Sequence, residues 1–289
     1  MSKEIYIHCD GGFGNRFNSL VVGLLIAKVA NYKPIILWPS TNWCRSSFNS
    51  LFNYDANIIE NSLAYFSQKY DDYQFIMHNN CLHFPVPVYH PNAFHDLSSL
   101  IEFIEKSNFD KVVYNNDSIP HYCFCDELYE VISDLKFCDD IVNPANNFIQ
   151  DKNLLEKFYG VHLRNTDFYD PHKPDFDSLY QLVLENSNEK YFICSDDKNL
   201  EEKFNQLENT YVYPKTNYVE KLTEDGEWRS IIVDDTGVEY PFNVERSDDS
   251  VKQAMIDLYI LSKSDIMKTS NSSFLQTAIL LQKSYNGKK

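Results

Sequence analysis

Gly160-Val161-His162-Leu163-Arg164-Asn165-Thr166-Asp167 is the stretch on which the fold turns. The apolar run Phe158 to Leu163 has the length and bulk of a short buried strand, and it runs directly into polar side chains. In an open α/β sheet, ligands bind just beyond the carboxyl ends of the strands. A guanidinium at such a place offers a fork of donors matched to phosphate oxygens. The chain has only five arginines (Arg16, Arg45, Arg164, Arg229 and Arg246) against 21 lysines. An arginine at a strand end, beside His162 and three residues before Asp167, is therefore expected to face a ligand in preference to forming a structural ion pair.

Working outward, the same alternation recurs on both sides. Downstream, a helix is expected near Asp177–Glu185 and a strand at Tyr191–Cys194. Ser195-Asp196-Asp197 follows, then a helix over Leu200–Gln206 and a short strand at Thr210–Val212. Further on come a helix over Val251–Leu261, a strand at Asp265–Thr269 and a helix over Ser273–Gln282. Between them, Tyr213 to Arg246 is long and charged, and its Ile231–Tyr240 portion patterns as a hairpin. Upstream, Glu4–His8 reads as a strand, followed by a Gly-rich turn, a helix over Phe17–Asn31 and a strand at Pro34–Trp38. Lys111–Asn115 reads as a strand, Cys125–Phe137 as a helix, and Asn143–Lys157 as a linking helix opened by Pro144. Residues 43–95 are aromatic and Asn-rich, with no periodicity that orders them. The alternation in two halves predicts an α/β architecture of two Rossmann-like domains facing across a cleft, the first spanning 1–142 and the second 143–289.

Composition narrows the function. The formal charge of −16 disfavours a general nucleic-acid or anionic-membrane surface, so any phosphate site must be a local island of positive potential. MSKEIYIHCD lacks the apolar core of a signal peptide, and no run approaches a membrane span. The seven cysteines are irregularly spaced, which suggests reduced thiols and a cytoplasmic protein.

Three further motifs carry chemistry. Gly11-Gly12-Phe13-Gly14-Asn15 brings backbone close to a ligand at a helix N-terminus, where free N–H groups favour anions, although a plain strand–helix turn has the same composition. It departs from the dinucleotide pattern because the third glycine is absent, which disfavours NAD. Asp196 or Asp197 can accept from nucleotide donors or cap the next helix. Thr269-Ser270-Asn271-Ser272-Ser273 lies between a strand and a helix, where hydroxyls and N–H groups hold a phosphate or cap the helix. Asp-Asp pairs recur through this acidic chain, so they do not by themselves indicate a metal site.

Taken together, these blocks resemble the α-fucosyltransferase superfamily that includes nodulation, core α1,6- and protein O-fucosyltransferases. Gly160–Asp167 is similar to its G-V-H-x-R-R-T-D block. Tyr191–Asp197 is similar to its strand ending in T-D-D, and Asp257–Asp265 with Ser272 and Ser273 to its D-x-x-x-L-S-x-A-D…S-S block. The Gly-rich turn resembles the family's own, and residues 40–140 match poorly. The resemblance implies a GT-B-like fold, with residues 1–142 on the acceptor side, residues 143–289 binding the nucleotide sugar and the last helix packing back on the first domain. It implies a glycosyltransferase that takes fucose from GDP-fucose to a glycan or glycoconjugate hydroxyl, with inversion, no metal and no further cofactor. It implies that Arg164 contacts the β-phosphate and that His162 and Asp167 line the nucleotide site. Asp196 or Asp197, Asp257 and Ser273, with Ser272 beside it, would complete that site. Gly12, Gly14 and Asn15 would contribute from the Gly-rich turn. Asn165 stands where core-fucosylating relatives carry a second arginine. The loop after Arg164 offers Asp170, His172 and Asp175 as bases for the acceptor hydroxyl, and Asp170 and His172 are carried forward with Arg164 as catalytic candidates. The alternatives are a metal-dependent glycosyltransferase using an Asp-Asp pair and a non-catalytic nucleotide- or glycan-binding relative.

Overall fold

The computed structural model of the protein describes residues 3–60, 72–77, 87–107, 109–166, 175–233, 239–240 and 242–286. It divides into two units. Unit 1 comprises Met1–Thr41, Ser47–Lys136 and Lys283–Lys289, and unit 2 comprises Asn42–Ser46 and Phe137–Gln282.

The elements of the first half are β1 (Glu4–His8), α1 (Phe13–Ala30), β2 (Lys33–Leu37), α2 (Phe48–Leu51), β3 (Phe52–Asn53), β4 (Asn57–Ile59), β5 (Gln74–Met77), β6 (Val88–Tyr89), α3 (Leu97–Lys106), β7 (Lys111–Asn115) and α4 (Asp126–Asp134). Six of the strands form one sheet in the order β4-β2-β1-β7-β5-β6, and every pairing in it is parallel. Tyr6, Ile35, Leu37, Tyr73, Phe75, Met77 and Val113 pack on one face. α1 is apolar nearly all round and almost entirely buried, as a helix of that composition must be. Strand order reverses between β1 and β7, the point where an open parallel sheet leaves a crevice at its carboxyl edge.

The second half runs β8 (Lys136–Phe137), α5 (Asp139–Asp151), β9 (Tyr159–Leu163), α6 (Phe176–Glu185), β10 (Tyr191–Ser195), α7 (Lys198–Phe204), β11 (Thr210–Tyr211), β12 (Ile232–Val233), β13 (Glu239–Tyr240), α8 (Asp248–Leu261), β14 (Asp265–Met267) and α9 (Ser273–Asn286). The sheet order is β11-β10-β9-β14, again all parallel, with its reversal between β9 and β14. Val161, Leu163, Leu179, Val183, Tyr191, Ile193, Phe204 and Leu207 form the core against it. β12 and β13 form the expected antiparallel hairpin. The α/β class with two Rossmann-like parallel sheets is as the sequence indicates.

Several boundaries differ from the expectation. α1 starts at Phe13 because Gly12, extended at φ −69° and ψ 164°, serves as its N-cap. α5 starts at Asp139, where Asp139 and Asp140 complement the helix dipole, and Pro144 lies inside the helix instead of opening it. The same helix stops at Asp151, six residues before the expected end. α7 begins at Lys198 because Asp197 caps it, accepting from the Asn199 N–H at 2.8 Å. The helix expected over Cys125–Phe137 ends at Asp134 and gives way to β8. Cys9, Cys44, Cys123 and Cys194 are buried free thiols, and Cys125 and Cys138 are half-buried ones.

Candidate functional site

In unit 2 the register of the central strands assembles a polar cluster at the carboxyl edge. Leu163 pairs with Ser195, so the next residue on each strand, Arg164 and Asp196, emerges beside its neighbour. Arg164 Nε lies 3.1 Å from Asp196 Oδ2, forming an ion pair with both side chains mostly buried. The same carboxylate accepts from the Asn165 backbone N–H at 2.8 Å and from the Thr166 hydroxyl at 2.6 Å. Asn165 Nδ2 donates to Asp197 Oδ2 at 2.8 Å. Arg164 therefore has the structural partner that the sequence reading set against a ligand role, and the pair fixes the direction of the guanidinium. Asp196 and Asp197 are committed to the strand-end loops.

On the other side of β9, the loop after β14 closes the reversal point. Thr269 Oγ1 donates to the His162 carbonyl at 2.5 Å, and the Ser272 hydroxyl lies 3.4 Å from His162 Nδ1. The imidazole stacks on Phe274 with ring centroids 4.9 Å apart. Burial lowers the His162 pKa to about 3, outweighing the nearby Asp196 charge, so the ring is neutral at physiological pH. Ser272 Oγ accepts from the Leu275 N–H at 3.2 Å, capping α9, whose first residue is the half-exposed Ser273. The close approach of α8 to the strand requires Gly160. A Cβ there would lie 1.9 Å from Ser264 Oγ and 2.6 Å from Leu261 Cδ1.

Beneath the strand ends lies an ionic cluster absent from the sequence reading. Lys215 Nζ reaches Glu201 Oε1 at 2.6 Å, Asp257 Oδ2 at 2.5 Å and the Ser195 carbonyl at 2.8 Å, with its side chain only 4% exposed. Glu201 also accepts from the Ser195 N–H and the Tyr218 hydroxyl, each at 2.6 Å. Burial raises the Asp257 pKa to about 7 against the pull of Lys215. Burial opposes the Lys215 charge, but Asp257 and Glu201 outweigh it and its pKa is raised. Asp257, expected to line the nucleotide site, is 2% exposed and acts through Lys215 on Ser195. No feature singles out Lys215 among 21 lysines. Glu201 was in principle detectable, because it shares the inward face of α7 with Phe204.

In unit 1 the Gly-rich turn leaves β1 beside the end of β7. Asn115 Nδ2 donates to the His8 carbonyl at 2.9 Å, and the Ser19 hydroxyl ties the Asn116 backbone to α1. Gly11 takes φ +77°, where glycine is favoured. At Gly12 the backbone angles suit any residue and an added Cβ would meet nothing within 4 Å, so the fold itself does not demand glycine there. No side chain caps the α1 N-terminus. Gly14 is buried in its first turn and Asn15 is half-buried. Fully buried Arg16 is structural: it donates to the Gly11 and Pro39 carbonyls, both at 2.8 Å, and lies over the Trp38 ring.

The structure thus brings together His162, Arg164, Asn165, Asp196, Asp197 and Ser272 in unit 2, while Gly12, Gly14 and Asn15 lie in unit 1. Asp167, Asp170 and His172 lie outside the described residues. Asp175 caps α6, accepting from the Asp177 N–H at 3.1 Å. Among the described residues, no group of three or more His, Cys, Asp or Glu is arranged to hold a metal ion. No described helix is long and apolar enough to cross a membrane.

Two parallel α/β units, each with its polar residues at a strand-order reversal, define a GT-B-like fold. Solved structures similar to it include fucosyltransferases. The fucosyltransferase NodZ from Bradyrhizobium superposes with a TM-score of 0.60 at 14% identity, covering 97% of this chain and 94% of that one. NodZ α-1,6-fucosyltransferase co-crystallised with GDP gives 0.57 at 14% identity, with 97% and 93% covered. POFUT1 in complex with GDP-fucose gives 0.53 at 14% identity, with 97% and 95% covered. No protein-family model and no curated protein matches the sequence.

Proposed function

We propose that this protein is an inverting, metal-independent glycosyltransferase that moves fucose from GDP-fucose to a hydroxyl of a glycan or glycoconjugate. The observation that carries the proposal is the convergence of Arg164, His162 and Ser272 at the strand-order reversal of unit 2. Solved complexes of similar fold with GDP and GDP-fucose support the choice of donor. Residues 143–289 bind the nucleotide sugar. As the glycosidic bond breaks, charge grows on the departing diphosphate. The Arg164 guanidinium, oriented by Asp196, stabilises that charge without having to reorganise. The neutral His162 ring, buried beside Ser272 and Phe274, supports the strand end without adding charge. In unit 1 the uncapped first turn of α1, with Gly12 open to approach, offers backbone N–H groups to a ligand. Asp170 or His172 takes the acceptor proton. The free thiols favour a reducing, cytoplasmic setting.

A non-catalytic nucleotide-binding relative is the second reading, favoured by Asn165, whose amide is spent on Asp197 where a second cation would otherwise stand. One assay separates the two. The protein is incubated with GDP-fucose and a mixed glycan acceptor, with and without EDTA, and GDP release is followed. Acceptor-stimulated release unaffected by EDTA is expected. No release argues for the second reading, and release that needs Mn²⁺ contradicts metal independence.

A further inference from the structure

In a parallel sheet, the connection from the carboxyl end of a strand to the next helix lies on the edge where ligands bind. In unit 2 the connection from β11 to α8 covers residues 212–247. It is far longer than the roughly 2–6 residues usual for such a connection in an α/β unit, and it carries the β12–β13 hairpin. Its first part is anchored beside the candidate site: Lys215 holds the Ser195 carbonyl, and the Thr216 and Asn217 N–H groups donate to Gln253 Oε1 at 2.8 and 3.0 Å. Its last part is zipped to residues 42–46. Asn42 Nδ2 donates to the Val244 carbonyl at 2.9 Å, the Arg246 N–H to the Asn42 carbonyl at 2.9 Å, and Arg45 grips Glu245 at 2.7 and 3.1 Å.

Two of the chain's three tryptophans and three of its five arginines are collected in this module. Trp43 and Phe242 meet edge to face at 5.0 Å. Arg246 lies over Trp43 at 5.5 Å, Arg229 over Phe242 at 5.9 Å and Lys221 over Trp228 at 5.5 Å. Trp43, Trp228 and Phe242 are all half-exposed, and Ile231 on the hairpin is 67% exposed. These groups are large and apolar, yet they are not used to fill the core. Among the described side chains of the module, five carboxylates (Glu220, Glu224, Asp225, Glu227 and Glu245) stand against five basic groups (Arg45, Lys215, Lys221, Arg229 and Arg246), a balance that favours neither an anionic nor a cationic ligand.

We infer that this module is a docking platform for a neutral oligosaccharide, the acceptor of the transfer proposed above. A pyranose ring presents one face of C–H groups, which matches the negative face of an aromatic ring. Its hydroxyls donate to the surrounding carboxylates. The cations stacked on Trp43, Trp228 and Phe242 brace the rings in place. Acceptor recognition thus includes the C-terminal half of the chain, in addition to the N-terminal half where the sequence reading put it. This assignment rests on the glycosyltransferase reading.

The test uses the full chain on an array of neutral and anionic oligosaccharides, with and without saturating GDP. Intrinsic fluorescence titrations follow for the glycans bound best. Trp38 is 1% exposed, so a saccharide-dependent emission change reports Trp43 or Trp228. Neutral glycans should bind and change the emission, and Trp228→Ala and Arg229→Ala should each weaken binding more than tenfold while the GDP-induced rise in melting temperature is unchanged. The inference is overturned if the variants bind as wild type does, if the bound glycans are anionic, or if no glycan binds. Trp228-dependent binding of a neutral glycan without any GDP response would retain the platform and discard the donor reading.

Discussion

Gly160→Ala probes the packing that sets the position of Arg164. The new methyl group would stand 1.9 Å from Ser264 Oγ, 2.9 Å from Ser264 Cβ and 2.6 Å from Leu261 Cδ1. β9 cannot retreat, because β10 and β14 pair with it on either side. Leu261 and Ser264 are themselves buried, and the Ser264 hydroxyl donates to the Leu261 carbonyl at 2.7 Å. Overpacking of a filled core costs about 1–3 kcal/mol. Displacing the Ser264 hydroxyl from its buried bond adds about 1 kcal/mol. The expected loss is therefore roughly 2–4 kcal/mol, a fall in melting temperature of roughly 5–15 °C. Ser264→Ala added to Gly160→Ala should recover part of this loss and no more, because Leu261 Cδ1 and the Ser264 Cβ remain in the way. Circular dichroism melts of the wild type, both single variants and the double variant measure the cycle. A Gly160→Ala protein within about 1 kcal/mol of wild type, less than overpacking usually costs, would refute the view that α8 locks the strand bearing Arg164.

Arg164→Ala should raise the barrier to GDP-fucose turnover by about 2.7–4 kcal/mol, and Arg164→Lys should rescue little because the planar fork is lost. Its melting temperature should change little, since Asp196 keeps its bonds from Asn165 and Thr166; a collapsed fold would assign the arginine a structural role. Lys215→Met leaves two buried carboxylates without their cation and should cost about 3–5 kcal/mol in denaturant unfolding, whereas a loss near zero would mean the cluster is not ionised. Asp257 is raised in the folded state from its ordinary 3.8 to about 7, so its stabilising effect is complete below pH 3.8 and is lost as pH rises through 7. Wild type should accordingly lose stability relative to Asp257→Asn as pH rises from about 4 to about 7 and run parallel to it above about pH 8; parallel melting curves throughout would contradict the shift.

The strands that lead into the polar residues of both units are legible where they are short apolar runs that end in chemistry. β1, β7, β9 and β10 carry their polar residues immediately past a buried segment, and that junction marks the site as well as the fold. The register pairing Leu163 with Ser195 could not be read, and with it the Arg164–Asp196 pair was missed. β5 shows why residues 43–95 resisted ordering: Gln74–Met77 is buried at all four positions, so it has neither alternation nor length to announce a strand. Pro144 signals a helix start, yet α5 begins five residues earlier, where the acidic pair Asp139-Asp140 supplies the first turn. Lys215 was missed for a different reason. Its importance comes from two carboxylates 14 and 42 residues away in sequence, which converge only once α7 and α8 pack.

The central claim is that the carboxyl edge of unit 2 holds a guanosine diphosphate. Differential scanning fluorimetry with GDP, UDP, ADP and CMP, each raised through the same concentration series, tests it most directly. A nucleotide bound only by the native state adds about 2.7 kcal/mol at 100 times its dissociation constant. GDP should raise the melting temperature in a saturating manner, the other three should not, and Arg164→Ala should abolish the response. A larger shift with UDP than with GDP, or no shift with any nucleotide, would contradict the claim.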